Sequence, residues 1–284
     1  MAALQGLYRP RTVAEAVALL AQDPDARPLA GGATLVAMMN ARVLEPKALV
    51  SLAGIPEIQG LSTMPDGRIR IGAFTRHRDT ASSPLLAGAA GVVRRAAAQI
   101  ANATVRNMGT IGGSIAFADP GLDYPPALVA AGAQIEITGT GGSRLVPARS
   151  FFVDWYVTAL EPGELVTAVL LPPPGAGDVG VYVKHARVAG DYATASVAAC
   201  RHADGRIRVS VGACGPTPLS DDAVDRVLSG GCTDDDVRSA GTLLVALADP
   251  LDDVRGSADY RRLLIPRLLS RAVQAVRAAA GAPA

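Results

Sequence analysis

Residues 104–123 read Thr-Val-Arg-Asn-Met-Gly-Thr-Ile-Gly-Gly-Ser-Ile-Ala-Phe-Ala-Asp-Pro-Gly-Leu-Asp, and no other stretch restricts the fold as strongly. Gly109, Gly112 and Gly113 stand among the small hydroxyl residues Thr104, Thr110 and Ser114. Glycine permits positive φ and lets another backbone or a ligand come close. Successive amides in such a turn form a nest for an anion, commonly a phosphate. Asp119 and Asp123 follow as acceptors for ligand hydroxyls, or as the start of the next helix; Asp119 before Pro120 also fits an ordinary N-cap. A second turn of small residues lies upstream, Leu29-Ala30-Gly31-Gly32-Ala33-Thr34-Leu35. Two such turns on one domain suit the two phosphates of a dinucleotide. Each taken alone suits a plain strand-to-helix connection equally well.

The rest of the chain bounds the chemistry. At 284 residues and 49% hydrophobic, it is long enough for two compact domains. Basic and acidic residues number 27 and 26, which argues against a nucleic-acid or anionic-membrane surface. Cys200, Cys214 and Cys232 are widely spaced and form no CxxC pair, so neither a zinc site nor an iron–sulfur cluster is expected from this chain alone. A disulfide framework is equally unexpected, in keeping with a reducing compartment. Glu15 interrupts the one apolar stretch near the N-terminus, and no run of about 20 apolar residues occurs, so a soluble, cytoplasmic protein is expected.

In chain order, Thr12-x-x-Glu15 is a capping-box pattern opening a helix, and strands are expected over 27–30 and 48–52 with a helix over 36–41 between them. A second lobe begins near residue 61, with a strand over 69–73, a helix cap at Thr75 and a long helical region over 83–100. A small helix over 127–131, a strand over 134–137, a return turn over 139–142 and a strand over 164–171 follow. Pro172-Pro173-Pro174 then stops regular structure and marks the clearest boundary. Beyond it, strands are expected over 179–187, 194–201 and 207–214, then helices over 222–228, 234–248 and 260–280, packed on one face of the strands.

Gly175-x-Gly177-x-x-Gly180 matches a dinucleotide fingerprint in letters only. Prolines precede it and an alternating strand pattern follows, whereas the mechanism needs strand, glycines, then helix. His77, His185 and His202 lack metal-ligand spacing, and Ser143, Ser150 and Ser196 lie outside any nucleophile elbow. Neither a catalytic nor a metal-ligating residue is assigned. Lys184 and Tyr192, by spacing alone, fit a surface strand and a turn.

Residues 104–123 resemble the glycine-rich flavin signature of the FAD-binding subunits of molybdenum hydroxylases, the xanthine dehydrogenase and carbon monoxide dehydrogenase group. Val105, Arg106, Asn107, Gly109, Thr110, Ile111, Gly112, Gly113, Ala116, Asp119 and Pro120 all match it. Residues 29–35 resemble the family's first flavin turn. Val183-Lys184-x-x-Arg187-x-x-Gly190-Asp191-Tyr192-Ala193 is similar to the motif that packs its C-terminal domain against the flavin, and the stretches at 151–165, 215–218 and 255–261 resemble its later signatures. Phe117 stands where the family usually has His, Asp154 where Gly is frequent, and Ala33 where relatives are often polar.

The resemblance implies an α+β protein: a two-lobed FAD-binding domain of the vanillyl-alcohol-oxidase (PCMH) type over 1–174, with lobes about 1–55 and 56–174, then a C-terminal α+β domain over 175–284. It implies FAD as cofactor, its pyrophosphate on amides around 31–34 and 109–113. The implied contacts are Ala30, Gly31, Gly32, Ala33, Thr34 and Leu35 from the first turn. Thr104, Asn107, Gly109, Thr110, Gly112, Gly113, Ser114, Ala116, Asp119 and Asp123 come from the second. Leu160 adds to these, with Lys184 and Tyr192 as a cation and an aromatic rim. The implied partners are an iron–sulfur small subunit and a molybdenum-cofactor large subunit, in a dimer of heterotrimers, with electrons leaving this FAD for an external acceptor. Two alternatives stay open: a free-standing FAD-dependent oxidoreductase, and a scaffold that kept the fold without the flavin.

Overall fold

The computed structural model describes residue 4 and residues 6–281. The chain opens with β1 (Gly6–Tyr8), α1 (Val13–Gln22), β2 (Ala26–Leu29), α2 (Leu35–Asn40) and β3 (Ala48–Ser51). β3 lies between β1 and β2, parallel to both. Parallel neighbours require crossovers, which the two helices supply. Thr12 caps α1 by accepting from the Glu15 amide at 3.1 Å. The Glu15 carboxylate reaches back one residue further than a capping box requires, to the Arg11 amide. α1 buries Ala16, Val17 and Leu20, whereas α2 buries no side chain at all.

Next come β4 (Leu61–Thr63), β5 (Ile69–Gly72), α3 (His77–Ser82), α4 (Gly91–Ala98), α5 (Ala103–Met108), α6 (Ile111–Phe117) and α7 (Tyr124–Ala130). They are followed by β6 (Gln134–Gly139), β7 (Gly142–Pro147), α8 (Ala148–Phe151), β8 (Phe152–Asp154), β9 (Val157–Thr158) and β10 (Leu165–Leu171). An antiparallel sheet forms in the order β4-β5-β10-β6-β7. Its centre, β10, reads Leu-Val-Thr-Ala-Val-Leu-Leu and is buried at every position, as a strand covered on both faces must be. Two expectations change here. Thr75 caps no helix: its hydroxyl donates to the Gly60 carbonyl, and α3 begins after Arg76 without a side-chain cap. The long helix over 83–100 shortens to one 3₁₀ turn, Gly88–Ala90, and α4.

The last part contains β11 (Val179–His185), β12 (Ala195–Arg201) and β13 (Ile207–Gly212) as an antiparallel meander, then α9 (Asp222–Ser229), α10 (Asp234–Leu247) and α11 (Ala258–Gly281). The strands and helices fall where the sequence places them, and Gly180 lies inside β11, so the decoy fingerprint is indeed loop followed by strand. The packing differs from expectation. Helices cover both faces of this sheet, not one. Val197 and Ala199 of β12 join a core with Leu268 and Val273 of α11, while Ala198 and Cys200 join the core that holds Val92 of α4 and Leu128 of α7. Small residues make this second contact possible. A Cβ on Gly180 would run into the Ala89 carbonyl, and one on Gly212 would lie 2.8 Å from Pro126 Cγ. The architecture is α+β throughout.

Candidate functional site

A cleft of about 400 Å³ opens where the parallel sheet meets the helices of the antiparallel one. Its walls are mainly apolar, with Phe74, Val105, Phe117 and Leu165 among them. Ala30, Gly31, Gly32, Ala33, Thr34 and Leu35 form one wall. Gly109, Thr110, Gly112, Gly113, Ser114 and Ala116 form the opposite one. Asp123 lies on the cleft surface, and Gly190, Asp191 and Tyr192 complete it from the loop after β11.

The two glycine turns touch each other. A Cβ on Gly31 would collide with the Met108 carbonyl and lie 2.9 Å from the Gly109 Cα, so the backbones meet directly. Gly31 is therefore glycine because of the second turn. Gly32 has φ +75°, the left-handed conformation that side chains resist.

The second turn is not the open loop its composition suggests. It is α5, a break at Gly109, and α6, with Gly112 and Gly113 inside the helix and neither at positive φ. All its amides but one are already used; that of Thr110, itself buried on the cleft wall, finds no acceptor among the described residues. Gly109 donates to the Val105 carbonyl at 2.7 Å, Ile111 to Thr75 at 3.0 Å and Gly112 to Ala73 at 2.8 Å. Gly113 donates to the Thr110 hydroxyl, which caps α6, at 3.2 Å. Gly112 owes its lack of a side chain to Ala73, whose carbonyl oxygen would be 2.8 Å from a Cβ. Where a row of amides is expected, this turn therefore keeps only that of Thr110 without an acceptor among the described residues.

The first turn does have free amides. Those of Gly31, Gly32, Ala33 and Thr34 find no acceptor among the described residues, and neither does the Thr34 hydroxyl. Buried or half-buried amides are almost always paired, so four adjacent unpaired ones facing a cleft indicate a ligand. The Ser114 hydroxyl, on the opposite wall, is also without a partner among the described residues.

Five expected contacts lie outside the cleft wall. Thr104 and Asn107 are exposed on α5, where Asn107 accepts from Arg78 at 3.4 Å. Asp119 starts no helix; it accepts from the Gly121 amide at 2.8 Å and from the Tyr156 hydroxyl at 3.3 Å. Leu160 packs against the main core. Lys184 is no exposed cation at a flavin rim. Its Nζ is buried and donates to the carbonyls of Gln99 (2.9 Å) and Asp191 (3.0 Å) and to the Asp123 carboxylate (3.1 Å). Asp123 also accepts from Tyr182 at 2.6 Å, so its carboxylate is occupied although it reaches the cleft. Burial pushes that carboxyl above its ordinary range, against the opposing pull of Lys184 and Tyr182. A fully bonded buried pair of this kind specifies how β11 docks on α7; breaking one partner would strand the other charge.

His77, to which the sequence assigns no role, is buried on the cleft wall. Its amide donates to the Gly109 carbonyl at 3.0 Å, and its Nδ1 meets the Tyr124 hydroxyl at 3.2 Å. Burial, helped by the nearby Arg106, lowers its pKa to about 4, so the ring is neutral at physiological pH. No local signal marks it, since the partner that makes it structural lies 47 residues away. Among the described residues, no group of His, Cys, Asp or Glu is arranged to hold a metal ion, and no helix is long and apolar enough to cross a membrane.

Comparison with known proteins gives the same picture over nearly the whole chain. Residues 2–174 match the family described as FAD binding domain in molybdopterin dehydrogenase, and residues 181–276 match the CO dehydrogenase flavoprotein C-terminal domain. The carbon monoxide dehydrogenase medium chain of Afipia carboxidovorans is 38% identical over 279 residues, covering 96% of each chain. The glyceraldehyde dehydrogenase medium chain of Sulfolobus acidocaldarius is 35% identical, covering 94% of this chain and 96% of that one. In three dimensions the chain superimposes on carbon monoxide dehydrogenase from Hydrogenophaga pseudoflava, solved lacking the Mo-pyranopterin moiety of its molybdenum cofactor. The TM-score is 0.93 at 36% identity, over 98% of this chain and 99% of that one.

Proposed function

Because this chain belongs to the FAD-binding medium subunits of the molybdenum hydroxylases, the carbon monoxide dehydrogenase and xanthine dehydrogenase group, we propose that it is the flavin relay of a three-part enzyme. The chain is an oxidoreductase component, and FAD is its cofactor. When bound, FAD supplies the relay itself, taking electrons from a partner iron–sulfur subunit and delivering them to an external acceptor. The molybdenum-cofactor subunit, a third chain, oxidises the substrate, and the assembly is cytoplasmic. Residues 1–174 are the FAD-binding domain and residues 175–284 the C-terminal flavoprotein domain.

The observation that carries the placement of FAD is the row of unpaired amides at Gly31, Gly32, Ala33 and Thr34. They suit the diphosphate, with the Thr34 and Ser114 hydroxyls as further donors. The apolar walls around Phe74 and Phe117 suit the ring system, and Tyr192 closes the edge of the cleft. Met108 and Gly109 abut the first turn at Gly31, and Gly113 lies beside Ala30. The chain's residues bind, orient and shield the flavin; no proton transfer or covalent step is assigned to them.

The test mixes the FAD-loaded chain with the purified iron–sulfur and molybdenum subunits of the same organism. Substrate should bleach the flavin absorbance only when both partners are present. Bleaching by a small organic substrate with the chain alone would contradict the relay and favour a free-standing oxidoreductase.

A further inference from the structure

The loop that brings Gly190, Asp191 and Tyr192 to the cleft is clamped by a distant segment, residues 253–261. Arg187 donates to the Val254 carbonyl at 3.0 Å, and the Thr194 hydroxyl donates to the Arg255 carbonyl at 3.2 Å. Arg261 donates to the Thr194 carbonyl at 2.6 Å, and the Tyr260 hydroxyl meets His185 Nε2 at 3.1 Å. Amid these contacts the Arg255 guanidinium sits 4.8 Å from the centre of the Tyr192 ring. Asp191 and Asp253 flank it at 3.6 and 3.5 Å. Its Nε is cut off from solvent yet has no hydrogen-bond acceptor, and Nη1 makes only a long hydrogen bond to Asp253, at 3.5 Å, so the ring and the two carboxylates together fix its orientation. At the edge of the Tyr192 ring, Gly121 leaves the room: a Cβ there would lie 3.2 Å from Tyr192 Cδ1.

We propose that Arg255 is a positioning residue for Tyr192, holding the ring at the cleft mouth by a cation–π contact. The proposal rests on the reading of the cleft as the FAD site. A cation over an aromatic face is attracted by the ring quadrupole, and two flanking carboxylates keep the cation from swinging away. Without it the ring loses its charged partner, and the loop tip opens more often.

Two readouts test this, with Arg255→Leu, Arg255→Lys, Tyr192→Ala and the Arg255→Leu/Tyr192→Ala double variant of the full chain. In the chain without FAD, amide hydrogen exchange over residues 190–193 should speed up about two- to fivefold in Arg255→Leu, the population change expected from losing one such contact at a partly exposed site. Arg255→Lys, which keeps a cation, should restore the wild-type rate. In the FAD-loaded chain, quenching of flavin fluorescence by neutral acrylamide should rise by a similar factor in Arg255→Leu and in Tyr192→Ala. The double variant should be no more accessible than Tyr192→Ala, because Arg255 acts through that ring. Wild-type exchange in Arg255→Leu, failure of lysine to rescue it, or additive quenching in the double variant would each overturn the proposal. Wild-type chain that takes up no FAD would overturn the cleft reading beneath it, while leaving the exchange result to judge Arg255 as a clamp.

Discussion

The two glycine turns look alike in sequence and do opposite work. The first, at 30–35, leaves its amides unpaired and leads into α2, a helix with no buried side chain. The second, at 109–114, uses all its amides but that of Thr110, on Val105, Thr75, Ala73 and the Thr110 side chain and carbonyl, and is tied through His77 to α3. One turn is left for a ligand to complete, and the other is completed by the protein save for the Thr110 amide. Small residues serve both ends, since glycine permits donors to reach a ligand and also permits two backbones to touch.

Gly31 is where the two turns meet, so Gly31→Ala should have the largest effect. Its Cβ has no room against the Met108 carbonyl, and an overpacked backbone contact costs ~3 kcal/mol. The turns must separate, and FAD affinity should fall roughly a hundredfold, as a loss of that size implies. Titration with FAD, together with a melting curve, measures both. Near-native affinity would mean that contact between the turns is dispensable.

The next effect is pH-dependent and belongs to the second turn. His77 has a folded pKa of about 4 against an ordinary value of 6.5, so its neutral form is favoured by folding. Its contribution is complete above pH 6.5 and is lost as pH falls towards 4, amounting to about 3 kcal/mol by linkage. Denaturation midpoints between pH 7 and 4 should follow this decline, and His77→Asn should flatten it. An unchanged slope in that variant would remove His77 from the account.

The finest comparison crosses two threonines. Thr110→Ala removes the cap of α6 and should lower stability by about 1 kcal/mol with little change in FAD affinity. Thr34→Ala removes a hydroxyl without a partner in the chain, so stability should hold while FAD affinity drops roughly three- to tenfold, the worth of one hydrogen bond. Equal effects of the two substitutions on binding would erase the division of labour.

Much of this was legible in the chain because the signals are local. Thr12 caps α1, the Gly139–Gly142 turn joins β6 to β7, and both glycine turns reach the cleft. What stayed hidden depends on partners remote in sequence. Thr75 and Ala73 claim the amides of Ile111 and Gly112 respectively, and nothing in the glycine run reports that. Lys184 reads as a lone surface cation until Asp123, 61 residues away, is found beside it. The run Ala195-Ser196-Val197-Ala198-Ala199-Cys200 lacks alternation because both its faces are covered, a property that sequence alone does not distinguish from a single apolar face.

The most direct measurement is amide hydrogen exchange across the two turns with and without FAD. Exchange over residues 31–34 should be fast in the free chain and slow at least about tenfold on binding, while Gly109, Ile111, Gly112 and Gly113 should be protected in both states. Residues 31–34 exchanging equally fast with FAD bound, or new protection appearing at those four paired amides instead, would contradict the account.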